Sequence, residues 1–305
     1  MKAIQLTAYG DSSVLKLVEL EQPVPSGNQV LVKIAATTIN PFDIKVRSGA
    51  MKDDVPVHFP FIPGSDFAGT IEEVGEKVTR LKKGDKVFGI AFGGTYAEYR
   101  VLPEKNVSLM PVNVTFNEAA ALAVPLNTAY SILIEAGKVH AGQKILVHGA
   151  SGAVGSAVVQ LAKYLGAYVI GTASGKGIEH VKSLGIDEAI DYKLQDFSTL
   201  VSNLDIVLDL VGGAVLQKSY PLIKKGGKLI SIVMPVSSDE AKKYGISAEF
   251  VDSVATLEKL SFGKKLVENG KIKAQVSRVM PLEEAAAAQD LLNKGGINGK
   301  VVLSL

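Results

Sequence analysis

Apolar and polar positions follow two different periods along this chain, and the change of period divides it. Val30, Val32, Ile34 and Ala36 alternate with Leu31, Lys33 and Ala35, which puts one set on each face of a predicted strand. Turn signals recur through the first third at Pro25-Ser26-Gly27, Pro63-Gly64 and Lys83-Gly84-Asp85, so this region reads as short strands closing into a compact β unit, a barrel in shape. One helix interrupts it. Asn40 suits the cap, Pro41 the first helical position and Gly49 the stop.

From about residue 115 the pattern changes. Thr115-Phe116-Asn117-Glu118 has the form of a capping box opening an alanine-rich helix. Six apolar runs then alternate with helical stretches: Ile145 to His148, Tyr168 to Gly171, Glu188 to Ile190, Asp205 to Leu210, Lys228 to Val233 and Ala248 to Val251. Strands separated by helices predict a doubly wound parallel sheet, and the fold class is α/β. Two further strands are expected near Val276 and Val301, around a helix from Leu282 to Leu292. The expected division is a first domain over 1–118, completed by 270–305, and a second over 119–269.

The strongest local chemistry lies in Ile145-Leu-Val-His-Gly-Ala-Ser-Gly-Ala-Val-Gly155, where a strand runs into Gly149, Gly152 and Gly155 and a helix follows. In a dinucleotide fold such glycines allow a tight turn, close backbone approach to a pyrophosphate and close packing of helix on strand. The helix N-terminus adds unpaired N–H groups and a positive dipole end. The spacing, G-x-x-G-x-x-G, is weaker than G-x-G-x-x-G taken alone, but the strand-turn-helix context carries it. Gly149, Ala150, Ser151, Gly152, Ala153 and Val154 are therefore expected at the cofactor. An NAD site places an acid about 20 residues further on. Here the second strand ends Thr172-Ala173-Ser174-Gly175-Lys176 with no acid before Glu179. A hydroxyl and a lysine suit a 2′-phosphate, so Thr172, Ser174 and Lys176 predict NADPH.

Composition narrows the alternatives. The 33 basic and 31 acidic residues leave a formal charge of +2 with no long run of one sign, which suggests neither a nucleic-acid nor a membrane partner. No cysteine is present, which excludes disulfides, thiol nucleophiles and thiolate-ligated zinc. The start of the chain lacks the apolar core of a signal peptide, and no apolar stretch is expected to reach the ~20 residues of a bilayer span. A cytoplasmic location is expected.

Asn40-Pro-Phe-Asp-Ile-Lys-Val-Arg-Ser-Gly49, Ile62-Pro-Gly-Ser-Asp-Phe-Ala-Gly69, Gly84-Asp-Lys-Val-Phe-Gly89, Asn127-Thr-Ala-Tyr130, the turn at 149–155 and Gly299-Lys-Val-Val-Leu303 occur in the order seen in a known family. With these motifs the chain resembles the zinc-free medium-chain dehydrogenase/reductases, the quinone oxidoreductases and enone (alkenal) reductases. The resemblance implies a GroES-like β-barrel catalytic domain joined to a Rossmann domain, NADPH as cofactor, a small-molecule quinone or enone as substrate, and a homodimer. Zinc-dependent relatives carry a cysteine three residues before an aspartate and a His-Glu pair. Here Asn40 stands three before Asp43, and Ser65-Asp66 replaces the pair. No metal is expected. The four histidines, His58, His140, His148 and His180, show no ligand spacing, and His148 reads as structural.

The resemblance also marks side chains. Lys45 stands where several plant enone reductases have lysine, placed to stabilise a developing enolate oxygen, although a surface lysine fits the same helix. Asn40 and Asp66 hold cleft positions in the family. Asp43 reads as a capping residue and as an i,i+4 partner of Arg47. Thr128 corresponds to a nicotinamide-side contact. Tyr192 follows the third strand, Val211 and Gly212 end the fourth, and Asn298 and Lys300 sit in a tail that folds back toward the cofactor. The expected activity is zinc-free hydride transfer from NADPH to a quinone or an α,β-unsaturated carbonyl. The alternatives are a non-catalytic NADPH-binding sensor or scaffold, and a carbonyl or alcohol dehydrogenase.

Overall fold

The computed structural model describes residues 1–305 and divides into two units. The first comprises Met1–Val124, Ala255–Glu268 and Ala274–Leu305; the second comprises Pro125–Val254 and Asn269–Lys273.

The first unit is built on antiparallel strands. β1 (Lys2–Gln5) and β2 (Lys16–Glu19) form a small separate pair. The main sheet contains β3 (Gln29–Thr38), β4 (Asp66–Val74), β5 (Lys86–Ile90), β6 (Tyr99–Pro103) and β7 (Val107–Leu109). Two strands from the end of the chain complete it, β14 (Val276–Pro281) and β15 (Lys300–Ser304), in the order β14-β15-β3-β4-β5-β7, with β6 also paired to β3. The alternation read at residues 30–36 falls inside β3, where Val30, Val32 and Ile34 enter a core with Phe67, Ile71 and Val87. Each such apolar side chain contributes roughly 1.5–3 kcal/mol when fully buried.

Helix α1 (Pro41–Ser48) follows β3. The Asp43 carboxylate accepts the Asn40 N–H at 2.8 Å, and Gly49 ends the helix in the left-handed region at φ 78°. Helix α2 (Phe116–Tyr130) opens on the expected capping box: Glu118 Oε2 accepts the Thr115 N–H and Thr115 Oγ1 accepts the Glu118 N–H. The unit boundary falls within α2, at Pro125, six residues beyond the expected one. The alanines explain this: Ala119, Ala120, Ala121 and Ala123 pack with Ala36, Ala68 and Phe88 of the antiparallel sheet. Helical conformation continues to Ala136, a 21-residue span that contains an 18-residue window apolar enough to cross a membrane by length and composition, where no such stretch was expected. Of that window 78% is buried inside the protein, the behaviour of a core helix.

The second unit carries β8 (Lys144–His148), β9 (Tyr168–Ala173), β10 (Glu188–Asp191), β11 (Leu204–Asp209), β12 (Ile223–Ser231) and β13 (Ser247–Phe250). All pair in parallel, in the order β10-β9-β8-β11-β12-β13. Numbered within the sheet this is 3-2-1-4-5-6, the arrangement of a dinucleotide-binding fold with its strand reversal beside the first strand. Helices α3 (Ala153–Tyr164), α4 (Lys176–Ser183), α5 (Ala214–Ser219) and α6 (Ser238–Tyr244) are the connections. Helix α7 (Leu257–Glu268), expected with this sheet, belongs to the first unit because Leu260 is buried among the alanines of α2 and Val302. Helix α8 (Ala285–Asn293) packs Ala285 and Ala288 against Val301 and Leu303 in the first unit.

Candidate functional site

In the first unit the ends of β3, β4 and β15 bring a buried polar cluster together. Asp66, fully buried at the start of β4, accepts from Asn40 Nδ2 at 2.7 Å, Thr38 Oγ1 at 2.6 Å, the Val124 N–H at 2.6 Å and Lys300 Nζ at 2.9 Å. Lys300 Nζ also donates to Thr38 Oγ1 and to Asn40 Oδ1. A buried carboxylate needs both a counter-charge and donors for its lone pairs, and this set supplies them.

Asn40 and Asp66, each expected at the cleft, are hydrogen-bonded to one another. Lys300, expected in a tail near the cofactor, has its ammonium held by Asp66, Thr38 and Asn40, because a lysine that is only 3% exposed requires a partner. Asn298 is half-buried.

Asp43 does not pair with Arg47. Its carboxylate accepts the Asn40 N–H, Tyr96 Oη–H at 3.1 Å and, at 3.4 Å, the Ser65 hydroxyl. The buried Arg47 leaves Nε and Nη1 without partners. Burial pushes the Asp43 carboxyl up to about 6, against the lowering effect of the Asn40 N–H and the Lys300 charge. Burial and the neighbouring Asp43 push the Tyr96 phenol well above its ordinary range.

Asp43 and Ser65 border a small open recess whose walls include Phe42, Phe61, Pro63 and Phe92. The Phe42 and Phe61 rings lie 6.1 and 6.0 Å from Phe92. The Lys45 side chain is exposed, and its backbone carbonyl accepts the Ser48 hydroxyl at 3.1 Å. It lies one turn after Phe42, which makes the two side chains neighbours on the surface of α1.

In the second unit β8 ends at His148 and the chain enters the glycine turn. Gly149 takes φ +72°, where a side chain is strained, and a Cβ there would meet Val211 Cγ2 at 3.1 Å. Gly155 lies against the backbone, since its Cβ would stand 2.2 Å from the Gly149 carbonyl oxygen. Gly152 faces open space, with only the Gly149 oxygen near, at 3.5 Å. Gly152 caps α3, so the N–H groups of Ala153 and Val154 lie in the first turn, where no intrahelical acceptor exists. The Ala150 N–H is held by the Thr172 carbonyl. Ser151 is half-buried beside it.

Thr172 serves the turn from the next strand. Its hydroxyl bonds His148 Nδ1 at 3.2 Å and accepts the Gly149 N–H at 3.3 Å. Beyond it, Ser174 Oγ donates to Tyr192 Oη at 3.1 Å, and Lys176 opens α4 with its side chain exposed. Thus Ser174, Lys176 and Tyr192 gather at the ends of β9 and β10. Val211 and Gly212 adjoin the glycine turn through the Gly149–Val211 approach. Thr128 is 5% exposed, in the part of α2 that belongs to this unit.

Two acids at this edge escaped the sequence reading. Asp209, fully buried at the end of β11, accepts the Val211 and Gly212 N–H groups and the Ser231 hydroxyl. Its signal was an aspartate ending an apolar strand just before Val-Gly-Gly. Asp191, at the end of β10, accepts the Gly175 and Lys193 N–H groups. Sixteen positions from Gly175, it gave no local sign of its place beside that turn.

The donors in the first unit are a poor set for zinc. Asn40 and Ser65 offer neutral oxygen, and Asp66 is saturated by four donors. No group of three or more His, Cys, Asp or Glu side chains in the structure could hold a metal ion.

Comparison with known proteins agrees with this architecture. Residues 26–112 match the family model described as alcohol dehydrogenase GroES-like domain, and residues 184–303 match that described as zinc-binding dehydrogenase. The 2-methylene-furan-3-one reductase of Solanum lycopersicum is 38% identical, over 99% of this chain and 79% of its own. Among solved structures, the quinone oxidoreductase of Coxiella burnetii is 34% identical with a TM-score of 0.93, covering 100% of this chain and 99% of that one. The Escherichia coli quinone oxidoreductase complexed with NADPH is 25% identical with a TM-score of 0.92, covering 100% of each chain. With both family models matched, near-complete coverage at 38% identity and a metal-poor donor set, the chain belongs to the zinc-free medium-chain dehydrogenase/reductase family, closely related to the NADPH-dependent quinone oxidoreductases.

Proposed function

We propose that this protein is an enzyme that reduces quinones or α,β-unsaturated carbonyls with NADPH and without zinc. The observation that carries the reading is the glycine turn at the end of β8, the first strand of a 3-2-1-4-5-6 parallel sheet. The residues fit the cofactor. Gly152 leaves space where a pyrophosphate must approach, while the Ala153 and Val154 N–H groups and the dipole of α3 face an anion. Ser174, Tyr192 and Lys176 offer two hydroxyls and a cation for a 2′-phosphate. Gly149, Ala150, Ser151, Thr172, Val211 and Gly212 shape the bed, and Thr128 serves the nicotinamide end. NADPH supplies the hydride when bound.

The Phe42, Phe61 and Phe92 rings offer apolar faces against which a flat conjugated acceptor could stack. Lys45, the neighbour of Phe42 on α1, places an ammonium to stabilise charge developing on the acceptor oxygen. Asn40 and Asp66 orient the polar side of the site through the Lys300 cluster. A conjugated acceptor is already electrophilic, so alignment replaces the Lewis acid that simple alcohol chemistry requires.

A homodimer and a cytoplasmic location complete the proposal. In support, β13 is an edge strand with one neighbour, and the most apolar helix window is largely buried. The test is steady-state oxidation of NADPH and of NADH with a panel of quinones and enones. Turnover with NADPH well ahead of NADH is expected. No turnover with any acceptor, despite NADPH binding, would leave the protein a binder only.

A further inference from the structure

The buried imidazole of His148 belongs to none of the contacts assigned above to cofactor or acceptor. It is fully buried, yet both ring nitrogens have partners: Nδ1 lies 3.2 Å from Thr172 Oγ1 and Nε2 lies 3.0 Å from Ser219 Oγ. Counting protons fixes the direction of every bond in this chain. Ser219 has one hydroxyl proton, and it goes to the Val215 carbonyl at 2.8 Å, because a carbonyl can only accept. Ser219 Oγ must then accept from His148, so the imidazole carries its proton on Nε2. Nδ1 is left as an acceptor, which Thr172 Oγ1–H fills. The Thr172 oxygen in turn accepts the Gly149 N–H.

The result is one directed path: Gly149 N–H to Thr172 Oγ, Thr172 O–H to His148 Nδ1, His148 Nε2–H to Ser219 Oγ, and Ser219 O–H to the Val215 carbonyl. It ties together the first residue of the glycine turn, the end of β9 and helix α5, which begins just after Gly212 and Gly213. We propose that His148 is a positioning residue for the dinucleotide: held as the Nε2–H tautomer, it clamps Gly149 to the end of β9. The clamp fixes the spacing between the pyrophosphate-binding N–H groups of α3 and the Ser174–Lys176 segment that would meet the 2′-phosphate. It also takes the Gly149 N–H out of the set that can meet the anion. The role rests on the NADPH reading given above; the tautomer does not.

Two further observations agree. Burial pushes the His148 imidazole down to about 4, with the Asp209 carboxylate acting weakly in the opposite sense, so the ring stays neutral across physiological pH. The Phe197 ring packs edge-on at 4.6 Å and closes the remaining side.

The test joins a spectroscopic measurement on the parent protein with a pair of substitutions. Long-range ¹H–¹⁵N correlation on protein labelled at histidine should show His148 protonated at Nε2 and not titrating above about pH 5. A proton on Nδ1, or titration near the ordinary value, would overturn the directed path. His148→Asn can keep an acceptor at the Nδ1 position while losing the Ser219 contact; His148→Gln reaches Ser219 but leaves Thr172 without its acceptor. If the clamp acts through Thr172, His148→Gln should raise the KM and Kd for NADPH about tenfold with kcat within about twofold, and His148→Asn should stay near parental. Thr172→Val should reproduce the His148→Gln effect and Thr172→Ser should restore affinity. Equal effects of Asn and Gln, or loss of kcat at unchanged NADPH affinity, would overturn the positioning role. A parent protein that shows the Nε2–H tautomer but fails to bind NADPH would instead overturn the functional reading.

Discussion

Substituting alanine at two glycines three residues apart should have opposite consequences, because the structure gives each a different neighbour. At Gly155 the new methyl would stand 2.2 Å from the Gly149 oxygen and 2.7 Å from Ala150 Cα. Both obstacles are backbone, so no rotamer change relieves the overlap, and α3 would have to lift from β8 by about an ångström to restore ordinary contact near 3.4 Å. Overpacking typically costs about 1–3 kcal/mol, and a rigid backbone obstacle puts Gly155→Ala at about 3 kcal/mol. At about 2 °C per kcal/mol for a chain of this size, the melting temperature should fall by about 6 °C. At Gly152 the backbone sits at φ −69° and ψ 173°, open to alanine, and the methyl meets only the Gly149 oxygen, at 3.5 Å. The stability cost should be no more than about 1 kcal/mol, the loss of a favourable cap residue. That methyl occupies the space through which a pyrophosphate approaches, so the Kd for NADPH should rise at least about tenfold. Thermal melts beside fluorescence titration of NADPH measure both quantities. Gly152→Ala with parental Kd in a folded protein would remove the pyrophosphate from this turn, and Gly155→Ala with an unchanged melt would refute the packing argument.

Further expectations come from single side chains. Lys176→Ala should narrow the preference for NADPH over NADH by about 1–2 kcal/mol, one charge-assisted contact, as read from the two dissociation constants. Lys45→Met should lower kcat for an enone by about 10- to 1,000-fold and for a quinone by less; parental rates with both would make Lys45 a surface residue. Lys300→Met leaves a buried carboxylate without its counter-charge and should cost about 3 kcal/mol in a denaturant melt. The double variant Asp66→Asn with Lys300→Met should lie closer to the parent than either single change. Asp43 titrates at about 6 in the folded protein against 3.8 ordinarily, so the native state binds the extra proton between those values. Its contribution to stability is therefore lost as pH rises through that window, by about 3 kcal/mol in all. His148, depressed from 6.5 to about 4, acts in the opposite sense and loses stability as pH falls. Comparing pH-dependent melts of the parent and Asp43→Asn isolates the first effect, and a difference that does not grow between pH 4 and 6 would contradict it.

What the sequence determined by itself was local or periodic. The parallel sheet was legible because its strands are short apolar runs set between helices, and β8 to β13 fall where those runs lie. The cap at Asn40, the stop at Gly49 and the capping box at Thr115 depend on residues within four positions of one another. The glycine turn was legible for the same reason: strand, turn and helix are contiguous, and their chemistry needs no distant partner.

Tertiary structure alone decided the rest, because it joins residues that share no sequence signal. Lys300 and Asp66 lie 234 positions apart, and only the pairing of β15 with β3 and of β3 with β4 brings them together. The Lys300 ammonium is held there, since a buried charge cannot stand alone. Helix α7 reads as part of the nucleotide sheet, yet Leu260 finds its core among the alanines of α2. Asp191, Asp209 and His148 looked like ordinary strand-end residues. Their bonds to Gly175, to Val211 and Gly212, and through Thr172 to Gly149 exist only once neighbouring strands set those turns side by side.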